Sequence, residues 1–183
     1  METKRALIEV LEEENGEQPS GGELMEITLT PRTAEHVKIY WKKIQDEEIR
    51  KHIPLRCLSL EEMLGQFEAS KQPGSGSFGM CVEADGSYVG DVWCYGIDEE
   101  EEKMAMFSFL IFEKSLWGKG VGSEAARLFC REALSRYEIR KLGAFTYAEN
   151  IGSLKALEKA GFLEKERFLE EGRLSVYLEW QKP

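Results

Sequence analysis

Three glycines stand two residues apart in Trp117-Gly118-Lys119-Gly120-Val121-Gly122-Ser123, between an apolar run that begins at Met104 and ends at Phe112 and the segment Glu124-Ala125-Ala126-Arg127-Leu128-Phe129. The order reads as strand, glycine-rich turn, helix. Glycine removes the side chains that would hold a ligand away from the backbone. A helix opening there presents unpaired N–H groups and a partial positive charge, the assembly that holds an anion and most often a phosphate.

Known phosphate loops narrow the ligand. A Walker A loop needs Gly at 113 and Ser or Thr at 120, where the chain has Glu113 and Gly120. The relaxed dinucleotide fingerprint G-x-G-x-x-A is met by Gly120, Gly122 and Ala125, with Glu149 closing the next strand where a ribose-binding acid would sit. Its position disfavours it, because such a domain normally opens with this unit and repeats strand and helix, whereas a short antiparallel-looking tail follows Asn150. A turn that merely links strand to helix is the bland alternative.

A third template matches over a longer span. Trp117-Gly118-Lys119-Gly120-Val121-Gly122, Asn150-Ile151-Gly152-Ser153 and Leu157-Glu158-Lys159-Ala160-Gly161-Phe162 occur in that order and spacing. Together they make the segment from Leu110 to Phe162 resemble motifs A and B of the GNAT superfamily of acyl-CoA-dependent N-acyltransferases, within the Rim-like branch of ribosomal-protein and spermidine acetyltransferases. Trp117 stands where the family loop usually has Gln or Arg.

The resemblance implies acetyl-CoA as co-substrate, with no metal. It implies that Leu110, Ile111 and Phe112 offer backbone groups to the pantetheine arm. Trp117, Gly118, Lys119, Gly120, Val121, Gly122 and Ser123 would wrap the pyrophosphate, and Asn150 would bond the pantetheine amides from the other side. Lys119 is expected to matter less than the glycines, since N–H groups do most of the holding. Asn150 has a second reading, as the cap of the helix that follows.

Transfer to an amine needs a base that takes a proton from the ammonium and an acid that helps the thiolate leave. Many relatives carry a Tyr acid four residues after the Ser of Asn-x-x-Ser, but that position is Leu157 here. The resemblance to the Rim-like branch makes Ser153 the candidate instead, with a helix-capping hydroxyl as its plain reading and Tyr147 in reserve. Glu171, with its neighbour Glu170, is the candidate base, and Glu102 a further one. Each of these acids also reads as an ordinary surface carboxylate. Trp41, Phe78, Trp93, Tyr95 and Phe109 are candidates for lining an acceptor cleft, or for the core. The implied activity is acetyl transfer to a primary amine, of a small molecule or a protein N-terminus. The alternative is an acyl-CoA-binding regulatory module that lost its acid at 157.

Around these residues the pattern gives a strand from Leu24 to Leu29 and a helix capped by Thr33 that runs toward Pro54. A second helix is capped by Ser59 with Glu61 and Glu62 in its first turn. The hairpin of Gly79–Ala84 and Tyr88–Ile97 turns at Asp85-Gly86. Beyond the strand from Met104 come a helix from Ser123 to about Tyr137, a strand from Lys141 to Ala148, a helix from Ser153 to Ala160, and strands near Leu163–Leu169 and Leu174–Trp180. This is an α+β order, and the resemblance implies a GNAT-like, mostly antiparallel sheet of about seven strands with a central splayed parallel pair and about four helices. Residues 1–23 read as an acidic N-terminal extension, with a short helix over Ala6 to Glu14 and a flexible boundary at Asn15 to Gly22. Residues 24–183 read as one domain.

Composition agrees. A chain of 183 residues suits a single core, and its net charge of −10 disfavours nucleic acid and favours cationic amines, or only solubility. Cys57, Cys81, Cys94 and Cys130 lie far apart, which reads as buried thiols in preference to disulfides or zinc. Without a signal-like or membrane-length apolar run, a cytoplasmic protein without a membrane partner is expected. A homodimer is compatible with the resemblance.

Overall fold

The computed structural model describes residues 4–10, 23–53 and 59–181. The boundary expected over residues 15–22 and the thiol Cys57 lie outside them. Strands β1 (Lys4–Val10) and β2 (Glu23–Pro31) are followed by helices α1 (Ala34–Lys43), α2 (Glu47–Arg50) and α3 (Leu60–Ser70). Next come β3 (Ser77–Ala84), β4 (Ser87–Asp98), β5 (Met104–Ile111), a 3-10 turn at Lys114–Leu116 and α4 (Val121–Arg136). The chain ends with β6 (Lys141–Tyr147), α5 (Ile151–Ala160), β7 (Leu163–Glu170) and β8 (Arg173–Gln181).

All eight strands form one sheet in the order β1-β2-β3-β4-β5-β6-β8-β7. Only β5 and β6 run parallel, as required when a crossover helix joins them.

Two expectations change. Residues 4–10 pair with β2 from Lys4↔Leu29 to Val10↔Glu23, so the start of the chain is an edge strand of the same sheet and not a helix from Ala6. Alternation explains it: Ala6 and Ile8 pack against the core, while Arg5 and Leu7 face outward. The long first helix is instead two, because the Asp46 carboxylate accepts from the N–H groups of Glu48 (2.9 Å) and Ile49 (3.3 Å) and starts α2 afresh. With α2 counted separately, five α-helices occur among the described residues.

Other local signals act as read. Asp85 and Gly86 both have positive φ (47° and 75°), the geometry of a tight two-residue hairpin. Thr33 and Ser59 each form a capping box.

Helices α4 and α5 cover one face of the sheet. Phe107 packs there against Phe129 and Phe162, with ring centroids 5.7 and 5.4 Å apart, and Leu142, Leu157 and Leu178 are fully buried beside them. On the opposite face a smaller cluster of Tyr40, Ile49 and Phe112 lies under α1 and α2. Beside it the buried Asp91 carboxylate pairs with Arg32 (2.8 Å) and accepts from the Tyr88 hydroxyl (2.8 Å). Burial pushes the Asp91 carboxyl up, opposed by the Arg32 charge and the Tyr88 hydrogen bond. This pairing ties β4 to the β2–α1 connection.

The functional region begins where the parallel pair ends. β5 and β6 pair only at Met104↔Lys141, Ala105↔Leu142 and Met106↔Gly143. Beyond them β5 stays with β4 as far as Gly90↔Ile111, and β6 stays with β8 as far as Tyr147↔Ser175. Each half of the sheet then follows its own twist, and a gap opens between them.

Candidate active site

A cavity of about 420 Å³ fills this gap, with walls from β5, β6, the glycine loop, the start of α5 and the Tyr40 and His52–Ile53 region. Backbone direction decides what β5 offers to it. The Phe112 N–H donates away from the gap, to the Val89 carbonyl (2.9 Å). The Leu110 carbonyl also points at β4, close enough that a Cβ on Gly90 would come within 2.3 Å of it.

Polar groups of successive strand residues alternate in direction, so Phe109 and Ile111 are the residues whose backbone faces the gap. Of the three residues expected to serve here, Leu110 and Phe112 direct their backbones elsewhere. Phe109, read from sequence only as an aromatic wall, takes their place. Phe112 does not line the cavity at all, being packed against Tyr40.

Gly120 is the N-cap of α4 at φ 87°, a left-handed conformation that disfavours a side chain, and no side chain caps this helix. The first intrahelical bond runs from Glu124 N–H to Gly120 O (3.0 Å), so the N–H groups of Val121, Gly122 and Ser123 open toward the cavity without a helical acceptor. A Cβ on Gly122 would meet the Phe109 ring at 2.9 Å, which shows how closely the first turn of α4 rests on β5.

Trp117 fixes the loop from its other end. Its indole N–H donates to the Ile111 carbonyl (2.7 Å) and its ring meets His52 edge-on at 5.9 Å. Gly118, Gly120, Gly122 and Ser123 line the cavity. Lys119 is exposed and is not among the lining residues. Upstream, Lys114 clasps Asp46 (2.9 Å) and Glu48 (3.0 Å) of the α2 start, which joins the segment leading into the loop to the opposite wall. That contact holds the Asp46 carboxyl below, and the Lys114 ammonium above, its ordinary value.

Across the gap, Asn150 and Ser153 both line the cavity. The Asn150 Oδ1 accepts from the Ser153 N–H (3.1 Å) and caps α5, so Asn150, not Ser153, is the capping side chain. Ser153 occupies the first turn, and its hydroxyl has no hydrogen-bond partner among the described residues. Leu157 is a buried core residue. Tyr147 lines the cavity with the Arg173 guanidinium 3.3 Å from its ring centroid, and Arg173 is itself paired with Glu149 (2.6 Å).

The carboxylate that reaches the cavity is Glu170, which accepts from the Ser175 hydroxyl (3.3 Å). Glu171 sits at the exposed β7–β8 turn with φ 50° and does not line the cavity. Glu102 is also exposed, pairing with Lys141 (3.4 Å) at the far end of β5. Of the candidate aromatics, Trp93, Tyr95 and Phe109 line the cavity, while Phe78 stacks on Phe129 in the core (5.5 Å). Trp41 is half-buried and does not line it. Tyr40, His52, Ile53 and Phe145 belong to the site without having been singled out. Long-range pairing brings them together, and their local sequence carries no mark of it.

Residues 26–163 match the family described as the acetyltransferase (GNAT) domain, and the chain belongs to that family. It is 31% identical over 143 residues to an N-acetyltransferase 9-like protein of Caenorhabditis briggsae, covering 72% of this chain and 71% of that one. It is also 31% identical over 85 residues to the probable N-acetyltransferase YjcK of Bacillus subtilis, and this match spans less than half of either chain (46% of each).

Among solved structures the fold is shared with AAC(6')-Ib in complex with paromomycin and acetyl-CoA, at TM-score 0.73 and 18% identity over 85% of this chain and 93% of that one. It is shared as well with RimL, a ribosomal L7/L12 alpha-N-protein acetyltransferase in complex with coenzyme A, at TM-score 0.71 and 13% identity over 85% and 93%.

Proposed function

We propose that this protein is an N-acetyltransferase that moves an acetyl group from acetyl-CoA to a primary amine by direct attack, in a cytoplasmic setting. One observation carries the reading: a helix start left without a side-chain cap opens into the gap of a splayed parallel strand pair. The N–H groups of residues 120–123 suit a pyrophosphate. The free backbone groups of Phe109 and the Ile111 N–H suit the pantetheine amides. Asn150 adds its amide N–H₂, because only its oxygen is used in capping.

In this geometry the thioester carbonyl lies near Tyr147 and Ser153. The amine nitrogen attacks the carbonyl carbon, the tetrahedral intermediate collapses, and the C–S bond breaks. Ser153 Oγ is placed to donate a hydrogen bond to the departing thiolate. Glu170, in preference to Glu171, takes the ammonium proton, directly or through one water. No covalent acyl-enzyme is required.

Free-thiol release with acetyl-CoA and an amine panel tests this reading, with acetyl-CoA binding followed by calorimetry. Ser153→Ala is expected to lower kcat about tenfold or more with the acetyl-CoA Kd nearly unchanged. Tight acetyl-CoA binding with no transfer to any amine would instead favour the regulatory-module reading that Leu157 raises.

A further inference from the structure

Part of the cavity lies on the face of the sheet opposite α4 and α5, and strand pairing identifies what lines it there. Trp93 faces Ser108 and Tyr95 faces Met106 across β4 and β5. Phe145 faces Tyr177 and Tyr147 faces Ser175 across β6 and β8. Opposed residues share a face, and a Cβ on Gly143 would touch both the Met106 sulfur and the Tyr177 hydroxyl, so the two halves present the same side.

The groove therefore has an aromatic floor of Trp93, Tyr95, Phe145 and Tyr147, with Tyr40 and His52 on its wall. Tyr95 and Phe145 are 43% and 53% exposed, large apolar surfaces left uncovered inside a concave site.

Negative charge is scarce in this groove despite the chain's net −10. Among the described residues, Glu170 is the only carboxylate lining the cavity, whereas Lys155 and Lys159 of α5 bring positive charge to it. Neighbouring acids have partners already: Asp46 and Glu48 hold Lys114, Glu149 holds Arg173, and Glu179 accepts from the Tyr177 hydroxyl (2.9 Å). An acceptor with several ammonium groups would bring one of them to Glu170, leave the others without a carboxylate, and meet the positive charges of Lys155 and Lys159.

Resting on the acetyl-transfer reading above, we infer that the acceptor is a primary amine carrying a single positive charge beside a bulky apolar or aromatic group. Its ammonium is held at Glu170 and its apolar part lies on Tyr95 and Phe145. An arylalkylamine and a polypeptide N-terminus with a large apolar first residue share this chemistry. Polyamines and aminosugars do not.

The test measures 2-phenylethylamine, a Met-Leu-initiated peptide, spermidine and kanamycin on the protein saturated with coenzyme A, by calorimetry, and as acetyl acceptors by thiol release. The phenylethylamine or the peptide is expected to bind, and to react in kcat/KM, at least about tenfold better than either polycation. Which of the two leads identifies the source. Tyr95→Ala and Phe145→Ala, both at exposed positions, are expected to weaken that preferred amine about fivefold to tenfold and leave the coenzyme A Kd unchanged. Equal or tighter binding of spermidine or kanamycin overturns the inference, as does an unchanged affinity in both variants. Because binding to the coenzyme A complex is read separately, absence of transfer to every amine defeats the acetyl-transfer reading while the order of affinities still decides this one.

Discussion

Helices α4 and α5 begin on opposite sides of the same gap and solve the same problem in opposite ways. Both leave their first N–H groups without helical acceptors. At α5, Asn150 supplies an oxygen from its own side chain, and the Ser153 N–H is satisfied within the chain. At α4 the cap is Gly120, which has no side chain to supply, and the first N–H groups are left without a side-chain acceptor, as the proposed ligand would require. α1, α2 and α3 are all capped by side chains, from Thr33, Asp46 and Ser59. The contrast teaches that a binding site can be recognised by a local stabilisation the chain forgoes.

The largest effect should come from abolishing the contrast. Gly120→Asp places a carboxylate and a strained left-handed residue at the proposed pyrophosphate site, and Gly122→Leu drives a side chain into the Phe109 ring. Either is expected to weaken acetyl-CoA by about 100-fold or more in calorimetry, the loss of two or so charge-assisted hydrogen bonds. A loss of only a few-fold would mean the backbone is not what holds the anion.

Converting α5 the other way, Asn150→Ala removes a cap worth about 1 kcal/mol, visible as a Tm lower by about 2–4 °C. It should also weaken acetyl-CoA about tenfold. A Tm change without a change in affinity would confine Asn150 to capping. Trp117→Phe keeps the ring but deletes the indole bond to Ile111, and an affinity loss of about fivefold is expected from a less preformed loop. Lys119→Ala should cost only about twofold to threefold and the difference should fade at high salt. An effect as large as that of the glycine variants would shift the weight from the backbone to the side chain.

The smallest effect concerns pH. The Lys114–Asp46 contact contributes above the unfolded carboxylate value and is lost in acid, as pH falls through the lowered Asp46 value. It is lost again in strong alkali, as pH rises through the raised Lys114 value. Comparing the Tm–pH profiles of the protein and its Lys114→Ala variant tests this, the variant showing a shallower acid arm because the Glu48 and Ile49 N–H groups still lower the Asp46 value.

Sequence made plain what is local. The glycine loop, the Asp85-Gly86 turn, the Thr33 and Ser59 caps and the strand-helix-strand crossover are each specified by neighbours in the chain. Two features escaped because they depend on partners far away. The strand at Lys4–Val10 exists because β2 offers an edge. Phe109, and neither Leu110 nor Phe112, turns its backbone to the gap because β4 fixes which way each carbonyl points. Of the two neighbouring acids read as candidates, Glu170 lines the cavity and Glu171 does not, because the turn at Glu171-Gly172, with both φ values positive, rotates the second outward.

The clasp at Lys114 has one more consequence. Lys114 ties the segment leading into the glycine loop to the start of α2, and the Lys43–Glu113 pair and the Trp117–His52 ring contact bridge the same two regions. On the acetyl-transfer reading proposed above, the two substrate entrances are thereby hinged together, and loosening one is expected to reach its neighbour.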